Sequence, residues 1–277
     1  MAFLPCAYFT LPAVETAVFQ SYRTTNVAPW LARCMESVRA WAATNGFEYR
    51  FVDDSLFERA PQWYRQKVAN NVLLVSDLAR LRVARELLDS GFRRTIWVDA
   101  DLLMFDPRPA TFNLPHGYAF CREVWAWRGD DGTALPPEER VNNSFMVFEA
   151  GNPMLEFFAH AMESTVANSP GPVSPVTSTG LLTMLNQRIG LPQLRHMGTL
   201  SPYVLAAIAQ GDEAFLTRYM AKVGEPLVAA NLCGSFGDTS SHGSMLAPAI
   251  FERAAALLLE TRGEVLNRFL RAPAPAR

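Results

Sequence analysis

Apolar and polar positions come in blocks along the chain, and the spacing within each block predicts its element. Trp30 to Asn45 carries Leu31, Met35, Val38 and Ala42 at helical spacing, with Gly46 as the stop. Phe47 to Val52 alternates as a strand does and ends at Asp53-Asp54. Ahead of these, Ala7 to Leu11 (AYFTL) is the expected first strand. Gln62 to Asn71 reads as helix or loop. Ser76 is placed to cap a helix running to about Ser90, with Gly91 past its end. Thr95 to Val98 is then a short apolar strand. Strand–helix–strand–helix–strand implies a mostly parallel sheet with helices on its faces.

The second half is less regular. Tyr118 to Arg122 and Ser144 to Phe148 are strand-like, and Thr183 to Gln187 lies in a helix. Arg128 to Arg140 and Ser169 to Pro175 read as loops. Asn231 to Ser244 (NLCGSFGDTSSHGS) is small, polar and Gly-rich, as a mobile loop is. Ile250 to Leu270 reads as one long helix. No repeat and no domain boundary is visible, so residues 1–271 are expected to form one domain, with 272–277 as a disordered tail.

Composition narrows the class. With 277 residues, 49% hydrophobic and 19% charged, the chain can build a sizeable core. A net charge of −2 argues against a general nucleic-acid binder, which carries a basic stripe. Cys6, Cys34, Cys121 and Cys233 form no C-x-x-C pair, which suggests reduced thiols and a cytoplasmic setting. The opening MAFLPCAYFTLP lacks a basic region and is broken by Pro5 and Pro12, so it does not read as a signal peptide. No apolar run is long enough to span a bilayer.

The strongest chemical signal is "TIWVDADLLMFDP", residues 95–107, where an apolar strand runs into Asp99-Ala100-Asp101. Buried charge is costly unless paired or metal-bound. In α/β sheets ligands bind at the carboxyl ends of the strands, where Asp53, Asp54, Asp99 and Asp101 all fall. Three readings compete. The acids can be solvated turn residues. They can hold a hard divalent cation, which takes carboxylate oxygens and leaves positions for phosphates. Or they can be the D-x-D of a haloacid-dehalogenase-type phosphatase, in which the first Asp attacks phosphorus. That last pattern has Thr or Val two residues past the second Asp, where this chain has Leu103.

The stretch "SDLARLRVARELLDSGFRRTIWVDADLLMFDP" resembles the sugar-binding region of DXD-containing glycosyltransferases at Ser76, Asp77, Arg80, Gly91, Asp99 and Asp101. Gly91-Phe92 and Trp97 stand where that family has Gly-Gly and an aromatic residue. Asp77 and Arg80, three apart, share a helix face; on their own they could equally be a simple ion pair. "VNNSFMVFEAGNP" resembles the F-N-A-G strand of related retaining transferases, with Asn143 at the Asn and Ser144-Phe145 replacing Ala-Gly. "TSTGLLTMLN" resembles a T-G-P segment at Thr179 and Gly180, with Leu181 replacing Pro.

The resemblance implies a Rossmann-like A-type glycosyltransferase fold, α/β, with a mostly parallel central sheet and helices on both faces. It implies a hexosyltransferase that moves a sugar from a UDP- or GDP-sugar to a hydroxyl acceptor with retention. Asp99 and Asp101 would be the catalytic, metal-holding acids. Asp77, Arg80 and Asn143 would bind the donor, with Tyr8 and Thr10 as nucleotide contacts. A late His often completes the metal set in such enzymes, and His242 is the candidate, ahead of His116, His160 and His196. Mn²⁺ is favoured over Mg²⁺, because imidazole suits it better. The acceptor stays open among glycan, lipid, protein and small molecule. The protein would be cytoplasmic or peripheral to the inner face of a membrane. A non-catalytic nucleotide-sugar-binding or scaffold protein is the alternative from another class.

Overall fold

A computed structural model of the chain describes residues 15–107, 112, 114–129, 131–174, 176–237 and 246–270. The order begins with strand β1 (Thr16–Ser21), helix α1 (Pro29–Thr44), β2 (Glu48–Val52), a 3₁₀ turn (Asp54–Arg59), α2 (Gln62–Lys67), α3 (Val72–Asp89) and β3 (Arg94–Val98). It continues with β4 (Leu102–Met104), β5 (Tyr118–Trp125), β6 (Glu138–Glu149), α4 (Pro153–Asn168), α5 (Thr177–Ile189), β7 (Gln193–Leu194) and β8 (Met197–Thr199). The last elements are α6 (Pro202–Gln210), α7 (Glu213–Val223), β9 (Ala229–Asn231), a 3₁₀ turn (Gly234–Phe236), α8 (Pro248–Glu260) and α9 (Glu264–Asn267).

The central sheet has the order β2-β1-β3-β6-β5-β7. All its strands run the same way except β6, which is antiparallel to both β3 and β5. Helices cover both faces because successive side chains of a strand point to opposite sides. Phe19, Trp97, Phe120 and Phe148 pack against Leu74 and Leu78 of α3 and Phe158 of α4. Val18, Ile96, Val98 and Val147 pack against Val38 and Trp41 of α1. This is the α/β architecture, with a mostly parallel sheet, that the block pattern implies.

A second sheet, β4-β9-β8, hangs from the first. Leu102 of β4 pairs with Asn231 of β9, directly after the D-x-D turn. Helices α6, α7 and α8 close a third apolar cluster around Leu205, Met220 and Phe251.

Local chemistry moved several boundaries. α3 starts four residues before Ser76, because the Asn71 side chain accepts from Leu73 N at 3.1 Å and Leu74 N at 3.3 Å and so caps the helix. β6 starts inside the segment read as a loop, since Glu138, Glu139 and Arg140 pair with Trp125, Val124 and Glu123 of β5. The expected long C-terminal helix breaks at Arg262-Gly263, both in the left-handed region, which ends α8. Asn231 is a strand residue rather than part of a loop. The first described strand is Thr16–Ser21; the AYFTL segment and the 272–277 tail lie outside the described residues. Among the described residues, no helix is long and apolar enough to cross a membrane.

Candidate active site

The acids sit where β3 leaves the central sheet. Asp99 N donates to Ser144 O at 2.8 Å, and Leu102 N donates to Asp99 O at 3.1 Å, closing a four-residue turn. Gln20 Nε2 donates to Asp99 O at 3.0 Å, while Gln20 Oε1 accepts from the Tyr49 hydroxyl at 3.0 Å. The turn is therefore held from β6 and β1, with Tyr49 of β2 steadying Gln20. Leu232 N donates to Asp101 O at 2.9 Å and ties its far end to the second sheet.

Asn231 joins the two carboxylates. Its Nδ2 donates to Asp101 Oδ1 at 2.7 Å and to Asp99 Oδ2 at 3.3 Å, and its Oδ1 accepts from Cys233 N at 2.7 Å. Gly234 N donates to Asp101 Oδ2 at 2.7 Å. A Cβ on Gly234 would lie 2.9 Å from Trp30 Cη2 and 3.1 Å from Asp101 Oδ2, so only glycine permits this approach.

Arg80 braces Asp99 from the other side. Its Nη1 donates to Asp99 Oδ1 at 2.9 Å and to Asn143 O at 3.2 Å. Its Nη2 meets Asp77 Oδ1 at 2.8 Å and Ser76 Oγ at 3.2 Å, and its Nε donates to Ser76 O at 3.3 Å. A guanidinium has five N–H groups; four of Arg80's donate hydrogen bonds within the protein, and Nη2 is also ion-paired with Asp77. Its Cζ also lies 4.7 Å from the centroid of Trp97, whose Nε1 donates to Asp99 Oδ1 at 2.7 Å. Asp77 accepts in addition from Asn143 Nδ2 at 3.0 Å and from the Ser178 hydroxyl. Burial pulls the Asp77 carboxyl upward, while Arg80, Ser178 and Asn143 pull it back.

A break in the ladder puts Asn143 in this cluster. Phe120 pairs with Met146 but the next residue, Cys121, pairs with Asn142, so residues 143–145 of β6 face no partner on β5. The bulge turns the Asn143 amide onto Asp77 and leaves the Asn143 and Ser144 carbonyls for Arg80 and Asp99.

Among the described residues the formal charge does not balance: three Asp carboxyls, Asp77, Asp99 and Asp101, face one guanidinium, Arg80, a formal −2 in a mostly enclosed site. Burial, with Asp99's charge added, pushes the Asp101 carboxyl up to about 6, despite donors at Gly234 and Asn231. Two carboxylates with spare lone pairs and an uncompensated charge of −2 fit a hard divalent cation. Among the described residues, no three His, Cys, Asp or Glu side chains gather to hold one.

Asp77, Arg80, Asp99, Asp101 and Asn143 thus form one hydrogen-bonded cluster, whereas Tyr8, Thr10 and His242 lie outside the described residues. Ser178, not its neighbours Thr179 and Gly180, reaches the cluster; the Thr179 hydroxyl turns back to Val176 O at 3.1 Å. Asn231, Gly234 and Gln20 join the site without a motif to announce them, while Ser178 lies within the TSTGLLTMLN segment, one position before Thr179. Asn231 and Gly234 open the Gly-rich stretch that composition singled out as a loop, but the residues facing the acids could be named only once β9 was paired with β4.

No protein-family model matches this chain, and no curated protein matches it. Among solved structures it is similar to a "glycosyltransferase involved in the glycosylation of the major capsid of PBCV-1". The identity is 10%, with 87% of this chain and 98% of that one covered, at a TM-score of 0.44.

Proposed function

We propose that this chain is a metal-dependent glycosyltransferase that moves a hexose from a UDP- or GDP-sugar to a hydroxyl acceptor, with retention at the anomeric carbon. The observation that carries this reading is the Asp99/Asp101 pair, held at a strand's carboxyl end by Asn231 and left two charges short of neutral. The S-D-x-x-R and D-x-D resemblance supplies the reaction class.

Asp99 and Asp101 would hold the cation, Mn²⁺ in preference to Mg²⁺. When bound it would neutralise charge gathering on the leaving diphosphate. The chain's own residues set the stage for that. Asn231 and the Gly234 N–H fix the Asp101 carboxylate, and Arg80 with Trp97 fixes that of Asp99. With four N–H groups donated within the protein and Nη2 ion-paired to Asp77, Arg80 serves the donor by aiming Asp99. Asn143 spends both amide protons on Asp77 and Ser178, which leaves Oδ1 to accept from a sugar hydroxyl. In the transfer, the acceptor oxygen bonds to the anomeric carbon and the bond to the diphosphate oxygen breaks with its electron pair. The hydroxyl proton departs with the leaving phosphate.

The test is thermal stability of the whole chain with UDP, GDP and their hexose conjugates, with and without Mn²⁺, followed by assay of donor hydrolysis. A ligand that prefers the native state raises its melting temperature. Metal-dependent stabilisation and donor cleavage, both absent in Asp101→Asn, are expected. Stabilisation without any cleavage would make the chain a nucleotide-sugar-binding protein, and no stabilisation would overturn both.

A further inference from the structure

A second carboxylate near the acid pair has no role in the site described so far. Glu123 on β5 is only 5% exposed. Its Oε2 accepts from Asn142 Nδ2, and Arg140, directly across on β6, stands 3.8 Å from its Oε1. That is sparse company for a buried acid, since buried charge normally has close partners. Burial pushes its carboxyl up, and Asn142 and Arg140 offset this in part.

Fixed hydrogen bonds tie Glu123 to the acid turn. Asn142 Oδ1 accepts from Ser144 N at 2.7 Å, and Ser144 O accepts from Asp99 N at 2.8 Å. Two residues further along the same strand face stands Trp125, half-buried. Its ring centroid is 5.6 Å from that of Phe236, which shares a 3₁₀ turn with Gly234, the donor to Asp101. The Arg140 guanidinium lies 5.9 Å from the centroids of both Trp125 and Trp127. A carboxylate, a guanidinium and indole rings therefore share one patch beside the acids.

This mixture suits one kind of guest. A pyranose presents a flat C–H face that packs on an aromatic ring, and a rim of hydroxyls that both donate and accept. A carboxylate takes the donated hydrogen bond and a guanidinium gives one back. A serine, threonine or acyl-lipid hydroxyl has no ring face to match the indoles, and a tyrosine ring lacks the rim of further hydroxyls that Glu123 and Arg140 would meet.

We infer that Glu123, Trp125, Trp127 and Arg140 form the acceptor subsite and that the acceptor is a carbohydrate, its ring on the indoles and its hydroxyls between Glu123 and Arg140. This rests on the glycosyl-transfer reading and names its acceptor class.

The test is ligand-detected saturation-transfer NMR of the full chain. The probes are methyl glycosides of glucose, galactose, mannose and xylose, with glycerol as control. Binding of UDP and GDP with Mn²⁺ is followed separately by calorimetry. At least one glycoside should bind saturably, strongest at its ring C–H protons, and glycerol should not. Trp125→Ala and Glu123→Gln should weaken glycoside binding tenfold or more and leave nucleotide binding as it is. Arg140→Ala, at a side chain 39% exposed, removes a contact without opening the core and should do the same even where Trp125→Ala fails to fold. No saturable glycoside, indifference to Glu123→Gln and Arg140→Ala, or loss of nucleotide with glycoside retained would each overturn the subsite. If glycosides behave as stated but the wild-type chain ignores UDP, GDP and Mn²⁺, the subsite stands and the glycosyl-transfer reading falls.

Discussion

Asn231 donates one side-chain hydrogen bond to Asp101 Oδ1 at 2.7 Å across a sequence separation of 130 residues, and uses the other amide proton on Asp99. A neutral amide thus holds two acids whose mutual repulsion would otherwise drive them apart.

Replacing it should expose that repulsion. Asn231→Ala removes two hydrogen bonds to charged groups, each worth about 1.5 to 3 kcal/mol. Mn²⁺-dependent nucleotide affinity is expected to fall at least tenfold by calorimetry. Asn231→Asp adds a third acid at the same place. Its metal-free form should melt lower than wild type and recover most of the difference on adding Mn²⁺. Equal affinities in wild type and Asn231→Ala would show that the amide is incidental.

Arg80 is expected to behave as a structural keystone. Arg80→Ala strands Asp77 in the interior, and breaking a buried ion pair from one side costs about 3 to 5 kcal/mol. Arg80→Lys retains a charge but not the fork, so it should recover only part of the loss. Urea unfolding measures this directly. A loss confined to activity, with the midpoint unmoved, would instead put Arg80 in contact with substrate.

At Gly234 the space is already taken. Gly234→Ala must push its methyl into Trp30 or lift its N–H off Asp101. Overpacking of this kind costs about 1 to 3 kcal/mol. The variant should lose metal-dependent nucleotide binding more than its melting shift explains, because the displaced N–H steadies Asp101. Normal binding in a folded Gly234→Ala would contradict the geometry.

The Asp101 carboxyl predicts a pH signature. Its folded value of about 6 lies above the ordinary carboxylate value of 3.8. Between those values the folded protein keeps a proton that the unfolded chain has released. Its contribution to stability is therefore fully present below about pH 4, falls as pH rises through 6, and is flat above. The span is at most about 3 kcal/mol. A bound divalent cation should abolish this slope, and metal affinity should drop as pH falls below 6. Denaturant midpoints between pH 4 and 8, with and without Mn²⁺, decide it; identical slopes in wild type and Asp101→Asn would remove Asp101 as the source.

Much of the site was legible because its signals are local. An apolar strand ending in paired acids, and an Asp and Arg three apart on a helix, stand out by spacing, and the resemblance to DXD glycosyltransferases joins them into one expected site. The amide that unites the acids was not, because the pairing of Leu102 with Asn231 closes a long loop and leaves no mark in either segment. β6 misled for a different reason. Glu138, Glu139 and Arg140 are polar enough to read as loop, yet the strand continues through them because it pairs with β5 along its whole start. Ser76 has the chemistry of a cap but serves Arg80 instead, since Asn71 took the cap one turn earlier.

Only residues 99–101 separate the end of β3 from the start of β4. Asp99 is tethered to one sheet through Ser144, and Asp101 to the other through Leu232. The two carboxylates are therefore tied to different sheets, and their spacing follows any shift of one sheet against the other. A cation gripping both would act as a rivet. The hydrogen exchange it slows should reach across β8 and β9 as well as β3, far beyond the atoms it touches.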